Sequence, residues 1–262
     1  MKTGFKKLDK ILGGGINEGE VTIIAGRPAK YKKTLAFNIA YGFAEDFYST
    51  MIFSTNLSKK PVQEKINKIC GNSDINNTEK VNIESYIGIN DCSYLTPKYI
   101  EEQFKYMSRK SGGFNAIIID CFNNILCDDW SDLKQRNYNC EKINRSIVMN
   151  DLRKLARDKD IAIILCVNLN KDIDTRKDNK PNLDDLAKII DGECFPDNVF
   201  FIFDENGCCN LAECDFKNLK VEVSLNRNLK SGILNFKLNV TNFKLLEDEK
   251  DWQYLKYEEK LN

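Results

Sequence analysis

Four cations stand within nine residues of this chain, in the segment Gly26-Arg27-Pro28-Ala29-Lys30-Tyr31-Lys32-Lys33-Thr34. The segment follows an apolar, β-rich run, Val21 to Ala25, and precedes a helical pattern from Thr34 to Ala44. A cationic strand-to-helix junction suits an anion, because the unpaired N–H groups and the dipole of a helix N-terminus favour negative charge. The spacing approaches the phosphate-loop pattern G-x-x-x-x-G-K-[ST]. In that pattern glycines let backbone amides close around phosphates, the lysine neutralises them and the hydroxyl holds Mg²⁺. Gly26 and Lys32 fit, but Tyr31 stands at the second glycine and Lys33 at the hydroxyl. A loop one residue longer would use Lys33 and Thr34 instead, at the cost of rotating the following helix out of register with its apolar face. A plain basic turn is the third reading. As an anion site, the segment offers Gly26, Arg27, Lys30, Lys32, Lys33 and Thr34, either to a nucleotide taken without Mg²⁺ or to a DNA phosphate.

A second candidate is Asp120, which ends the apolar run Ala116-Ile117-Ile118-Ile119. Such a run reads as a central strand buried on both faces, and its C-terminal end is where ligands bind in open α/β sheets. The alternative is a carboxylate that merely caps a loop. The chain has no histidine, so a Ser-His-Asp triad, an imidazole acid or base and a His-containing zinc site are excluded. Its ten cysteines form no CxxC, and Cys70, Cys121 and Cys166 lie inside helical or apolar runs, as reduced thiols of a cytoplasmic protein do. The irregular spacing of Cys194, Cys208, Cys209 and Cys214 argues against a four-cysteine zinc site.

The scaffold that would position these groups is legible in the pattern. With 262 residues, 42% of them hydrophobic, the chain can bury a large core. Lys plus Arg and Asp plus Glu both total 39, so no overall basic field holds a polyanion and any nucleic-acid contact must be local. No apolar run reaches the roughly eighteen residues of a membrane span, and no apolar segment follows the first charges, which places the chain in the cytoplasm. Short apolar runs alternate with helical patterns: Val21–Ala25 then Thr34–Ala44, and Met51–Ser54 then Val62–Cys70. This is the βαβ signature of a parallel sheet. Leu35, Ile39 and Phe43, with Ala36 and Ala40, form one helical face, while Asn38 and Tyr41 point elsewhere. Further on, Val81–Ile89 reads as a strand and Thr96-Pro97 as an N-cap with proline at N1. Val148, Leu152 and Leu155 mark a helix before a strand over Ile161–Val167, and Val199–Phe203 is another strand. Asn123 to Arg145 and Asp172 to Asn182 read as surface loops, the second mobile. Asn206-Gly207 signals a hairpin turn, with strands around Val221–Val223 and Leu234–Val240. The charged tail, Glu247 to Asn262, reads as a short docked helix or arm.

Taken in order, Thr3-Gly4-Phe5-x-x-Leu8-Asp9, Gly13-Gly14-Gly15-Ile16-x-x-Gly19-Glu20, Ile23-Ile24-Ala25-Gly26-Arg27-Pro28 and Asn38-Ile39-Ala40 resemble the start of the RecA-like motor domain of DnaB-type replicative helicases. The resemblance runs almost the full length. Ile117-Ile118-Ile119-Asp120 is similar to that family's Walker B strand, and Leu152-Arg153-x-Leu155-Ala156, Ile161-Ala162-Ile163-Ile164 and Asn168-Leu169-Asn170-Lys171 to its next helix and strand. Pro181-x-Leu183-x-Asp185-Leu186 and Asp197-x-Val199 resemble the segment carrying its DNA loop, and Arg227-Asn228 with Gly232 its arginine-finger hairpin. The resemblance implies an α/β RecA-like P-loop NTPase fold over residues 1–246, with a mainly parallel central sheet flanked by helices and a C-terminal β-hairpin, followed by a tail over 247–262. It begins at Thr3, so the family's primase-recruiting domain and linker helix lie outside it and a ring is not implied.

The resemblance also implies roles. Lys32 would neutralise the β- and γ-phosphates of ATP, Asp120 would hold Mg²⁺ through its water shell, and Arg227 would reach a neighbouring subunit's γ-phosphate. Other family positions have changed. The catalytic glutamate falls at Asn56, the γ-phosphate-sensing glutamine at Asn168, the finger's companion lysine at Leu225 and the metal's hydroxyl ligand at Lys33. An amide cannot accept a proton, and losing general-base help costs about 10²- to 10⁴-fold. An ammonium can stand near a metal position but cannot ligate a metal. Where the DNA loop has an Arg-Glu-Ser-Gly run, this chain has Ala187-Lys188-Ile189-Ile190. The implied function is a replication-associated protein that binds nucleotide or another anion, with ATP and Mg²⁺ binding weakened and hydrolysis slow or absent. Its implied partners are single-stranded DNA, a replicative helicase or other replication protein, or a second copy. One rival is an active ATP-dependent helicase using Lys33-Thr34, with Asp120 or Glu64 activating water. The other is a recombination-mediator ATPase, which explains the core but not the Thr3-Gly4-Phe5 opening combined with Gly26-Arg27-Pro28.

Overall fold

The structure, a computed structural model, describes residues 1–27, 31–71, 83–131, 140–176, 180–190, 196–204, 215–228 and 230–255. Lys30, the Asn206-Gly207 turn, the four cysteines weighed as a zinc set and the start of the Val81–Ile89 strand lie outside the described residues. Six of the described strands are parallel: β1 (Val21–Gly26), β2 (Thr50–Ser54), β3 (Ile87–Asn90), β4 (Ala116–Asp120), β5 (Ala162–Asn168) and β6 (Asn198–Phe203). Three more, β7 (Phe216–Leu225), β8 (Ser231–Asn239) and β9 (Leu245–Leu255), add antiparallel to the β6 edge. The order is β3-β2-β4-β5-β1-β6-β7-β8-β9. Strands β1, β2, β4 and β6 are buried at every residue, which is why they read as unbroken apolar runs rather than alternating ones.

Helices cover both faces. Alternate residues of β1, Ile24 on one side and Val21, Ile23 and Ala25 on the other, enter two separate cores. The first core is closed by α1 (Lys6–Ile11), α2 (Lys32–Glu45) and α3 (Lys59–Cys70), the second by α4 (Pro97–Ser111) and α5 (Cys140–Lys159). Thr96 caps α4 by accepting from Tyr99 N, with Pro97 at the first helical position, as its sequence requires.

Helix α2 is more enclosed than a one-sided amphipathic pattern predicts. Phe37 and Asn38 are buried along with the expected Leu35, Ile39 and Phe43. The reason is that the antiparallel strands fold across the side of α2 that faces away from the parallel sheet. Asn38 Nδ2 donates to Phe243 O at 2.9 Å, and its Oδ1 accepts from Leu245 N at 3.0 Å, so this side chain replaces a missing strand partner. The chain start also crosses α2. A side chain at Gly42 would place Cβ 2.3 Å from Thr3 O, so only glycine admits that crossing.

Three expectations are corrected. The tail is not a helix or arm as far as Leu255: β9 pairs with β8, with Ile233 opposite Gln253 and Leu234 opposite Trp252. Its Glu247 caps α1, accepting from Lys7 N at 3.0 Å and Leu8 N at 3.0 Å, although burial pushes that carboxyl above its usual range. The loop from Asp172 is ordered at both ends, by a 3-10 turn over Lys171–Thr175 and by a capping box in which Asn182 and Asp185 bond reciprocally ahead of α6 (Leu183–Ala187). Helix α5 begins at Cys140, and its buried Asn144 pins the preceding polar stretch by accepting from Cys127 N at 2.6 Å and donating to Ile125 O at 2.9 Å.

Replacing Asn38 with Leu keeps the volume but strands the Leu245 N–H and Phe243 carbonyl without water. The expected loss is about 1–3 kcal/mol. Thermal unfolding checks this: the midpoint should fall by about 2–4 °C for each kcal/mol. An unchanged midpoint would mean these bonds do not hold β9 to α2.

Candidate functional site

Strands β1, β2, β4 and β5 end side by side, placing Gly26, Ser54, Asp120 and Asn168 along one rim of the sheet. Gly26 passes so close to β6 that a Cβ there would lie 2.7 Å from Ile202 O. Tyr31, directly before α2, has φ 46° and ψ −16°, the left-handed conformation that a phosphate-loop glycine adopts at no cost. A tyrosine therefore carries the glycine's backbone shape. What holds its ring could not be foreseen: Lys217 Nζ stands 5.4 Å from the ring centroid and 2.7 Å from Asp204. Burial opposes the Lys217 charge, but the Asp204 carboxylate and the Tyr31 hydroxyl outweigh it and raise the ammonium above the usual lysine range.

The two lysines that follow diverge. Lys32 is buried, and its ammonium turns back to donate to the carbonyl of Arg27 in the loop. Burial pushes this ammonium below its ordinary value, with the Cys166 and Cys121 thiols and Asp120 opposing the shift and Lys33 adding to it. Lys33 instead reaches the end of β4, where its Nζ lies 2.7 Å from Asp120 Oδ2. Asp120 is only 3% exposed. This geometry is that of the ungapped loop: Lys32 takes the lysine place and Lys33 the hydroxyl place. Thr34, half-buried one position further on, is offset by about 100° of helix rotation.

Around the carboxylate the rim is built of amides. Asn56 Oδ1 accepts from Asn124 Nδ2 at 3.0 Å, and the same Nδ2 reaches Thr55 Oγ1 at 2.9 Å. Asn123 Oδ1 accepts from Asn168 N at 2.7 Å, and Asn168 Nδ2 points to Cys121 Sγ at 3.2 Å. Neither Asn56 nor Asn168 can act as a base. Asn123 and Asn124, which bind both together, carry no sequence signal beyond their place after a strand end.

Arg227 is not part of this rim. It lies in the β7–β8 connection and holds Asp197 Oδ1 at 2.6 and 3.0 Å, with Glu20 at 3.6 Å. Asp197 also accepts from Val21 N, at the opposite end of β1, so Arg227 sits about a strand length, roughly 20 Å, from the cradle of its own chain. The DNA-loop segment is likewise turned inward: Ile189 and Ile190 are buried, and Lys188 faces Asp185 at 3.7 Å and Asp172 at 4.0 Å. Glu64 is exposed on α3. Among the described residues no helix is long and apolar enough to cross a membrane, and no group of three or more His, Cys, Asp or Glu could hold a metal.

Residues 1–245 match the family described as the DnaB-like helicase C terminal domain. The chain belongs to this family. It is 25% identical over 220 residues to the replicative DNA helicase DnaB of Haemophilus influenzae, covering 77% of this chain and 45% of that protein. It thus spans just under half the length of such relatives. It is also 25% identical over 193 residues to the DNA repair and recombination protein RadB of Archaeoglobus fulgidus, covering 72% of this chain and 80% of RadB. Among solved structures, a DnaB-like replicative helicase described with its primase interactions superposes with a TM-score of 0.75 at 18% identity, covering 93% of this chain and 62% of that one, which shows a shared fold.

ATP with Mg²⁺ is the general ligand of this ATPase family. The residues present here do not fit the ion. The hydroxyl that would ligate it is an ammonium, and that ammonium already occupies the carboxylate that would hold the ion's water shell. If the pair is what stabilises Asp120, Lys33→Met should cost about 1–3 kcal/mol, because a nearly buried carboxylate loses its direct partner. Asp120→Asn in the same background should recover most of that loss. Urea unfolding of the two single variants and the double checks this, and strictly additive effects would contradict the coupling.

Proposed function

We propose that this DnaB-like domain is a pseudo-motor: a replication-associated protein that binds nucleotide or another anion in a remodelled phosphate cradle and hydrolyses ATP slowly or not at all. The observation that carries this reading is the 2.7 Å ion pair between Lys33 and Asp120. It puts a fixed positive charge where family chemistry needs an exchangeable metal ion. Asn56 and Asn168 support the same reading, since neither amide can remove a proton from the attacking water.

The fold is then kept for binding. Its partners are a replicative helicase or other replication protein, a second copy of this chain, or single-stranded DNA. The Arg227 position, half-exposed at the end of the sheet away from its own cradle, suits contact with a neighbouring subunit rather than action within the chain. The inward-turned Ile189 and Ile190 and the engaged Lys188 favour protein partners over DNA.

Steady-state ATP hydrolysis with and without single-stranded DNA tests the proposal, with Asp120→Ala as the control for contaminating activity. Turnover should be indistinguishable from the control. Turnover of about 1 s⁻¹ or more, stimulated by DNA and abolished by the substitution, would restore the helicase reading.

A further inference from the structure

The charges around Asp120 do not balance. Lys33 is its direct partner at 2.7 Å. Lys32, one residue away and buried, has as its one polar bond among the described groups a backbone carbonyl, which carries no countercharge. A third lysine arrives from another element. Lys65 lies on α3, one residue before the buried Ile66, and its ammonium is 5.4 Å from the centroid of the Phe243 ring. From there it is within electrostatic reach of the same two groups: burial first, and then Lys33, push its ammonium below the ordinary lysine range, while Asp120 draws it up.

One carboxylate is thus shared by three ammonium groups of which one is buried and one half-buried. Buried charge normally carries a partner of opposite sign, and the cradle has too little negative charge of its own. The surplus sits at the N-terminus of a fourteen-residue helix, whose dipole adds to it. Removing the metal from a di- or triphosphate leaves it more negative by two charges. Lys33 and Lys65 are the two ammonium groups of this rim that the phosphate-loop pattern does not supply.

We propose that Lys33 and Lys65 together replace the divalent ion, so that the cradle binds a metal-free diphosphate group, carried either by a nucleotide or by free pyrophosphate. This rests on the reading of the domain as a non-hydrolysing relative of the motor, and adds a residue, Lys65, and a ligand state to it. Lys32 and the helix amides grip the phosphate next to the loop. Lys33, held by Asp120, and Lys65, braced on Phe243, close on its outer oxygens without any ion between them.

The test is equilibrium binding of a fluorescent ADP to the full chain, once in EDTA and once in excess Mg²⁺, with inorganic pyrophosphate as competitor. Affinity in EDTA should equal or exceed that in Mg²⁺. Lys65→Ala should weaken EDTA binding by about tenfold, the worth of one charge-assisted contact, and Lys65→Arg should recover most of it. Lys33→Ser should make binding depend on Mg²⁺. Competition by pyrophosphate would assign recognition to the diphosphate alone, whereas failure to compete would assign it to the nucleotide. A requirement for Mg²⁺ in the unmodified chain, no binding in either condition, or indifference to Lys65→Ala in a variant with unchanged thermal midpoint would overturn the proposal. Mg²⁺-dependent binding without turnover would do so while leaving the pseudo-motor reading intact. DNA-stimulated turnover would remove that reading instead.

Discussion

Asp120 ends a strand buried on both faces, and there an unpaired carboxylate would cost several kcal/mol. A cation must stand against it. In a phosphate-loop ATPase that cation is an exchangeable hydrated metal ion brought with the nucleotide; here it is the ammonium of Lys33, fixed covalently one residue into α2. This substitution organises the rest of the rim. With no exchangeable metal, nothing requires a base at Asn56 or a phosphate sensor at Asn168, and both have become members of an amide network with Asn123 and Asn124. The same substitution leaves Lys32 and Lys65 in surplus, which turns a site for metal–nucleotide turnover into one for anion retention.

The scaffold holds α2 on every side, and that enclosure is what allows a strained loop. Tyr31 keeps a left-handed backbone because Lys217 and Asp204 of the neighbouring strands hold its ring, and the helix it opens is gripped by the chain start at Gly42 and by β9 through Asn38. Glu247 adds a further tie by capping α1 from the far end of the chain. The N-terminal turn, the cradle helix and the antiparallel strands are therefore one packed unit. A substitution in β9 acts on the cradle through α2, though it touches no phosphate.

The parallel core was legible because a strand buried on both faces writes itself as an unbroken apolar run, and Ala116–Asp120 could be read in no other way. The cradle's place was legible from its cations and its position between strand and helix. Strand β9 was hidden because it pairs through its backbone, so Glu247, Asp248, Glu249 and Lys250 need not alternate with apolar residues. Asn38 looked like an outward residue because helical periodicity assumes one buried face, and α2 has more than one. Lys65 and Lys217 carried no signal at all: a lysine on a helix or a strand reads as a solvated charge until tertiary packing brings it to a partner.

The exclusion of the metal by Lys33 is tested most directly by crystals grown with ATP and Mn²⁺, in an anomalous difference map around Asp120. Phosphate density in the cradle, with Lys33 still on Asp120 and no anomalous peak beside that carboxylate, is the expected result. A manganese ion seated between Asp120 and the phosphates, with the Lys33 ammonium swung away, would contradict it.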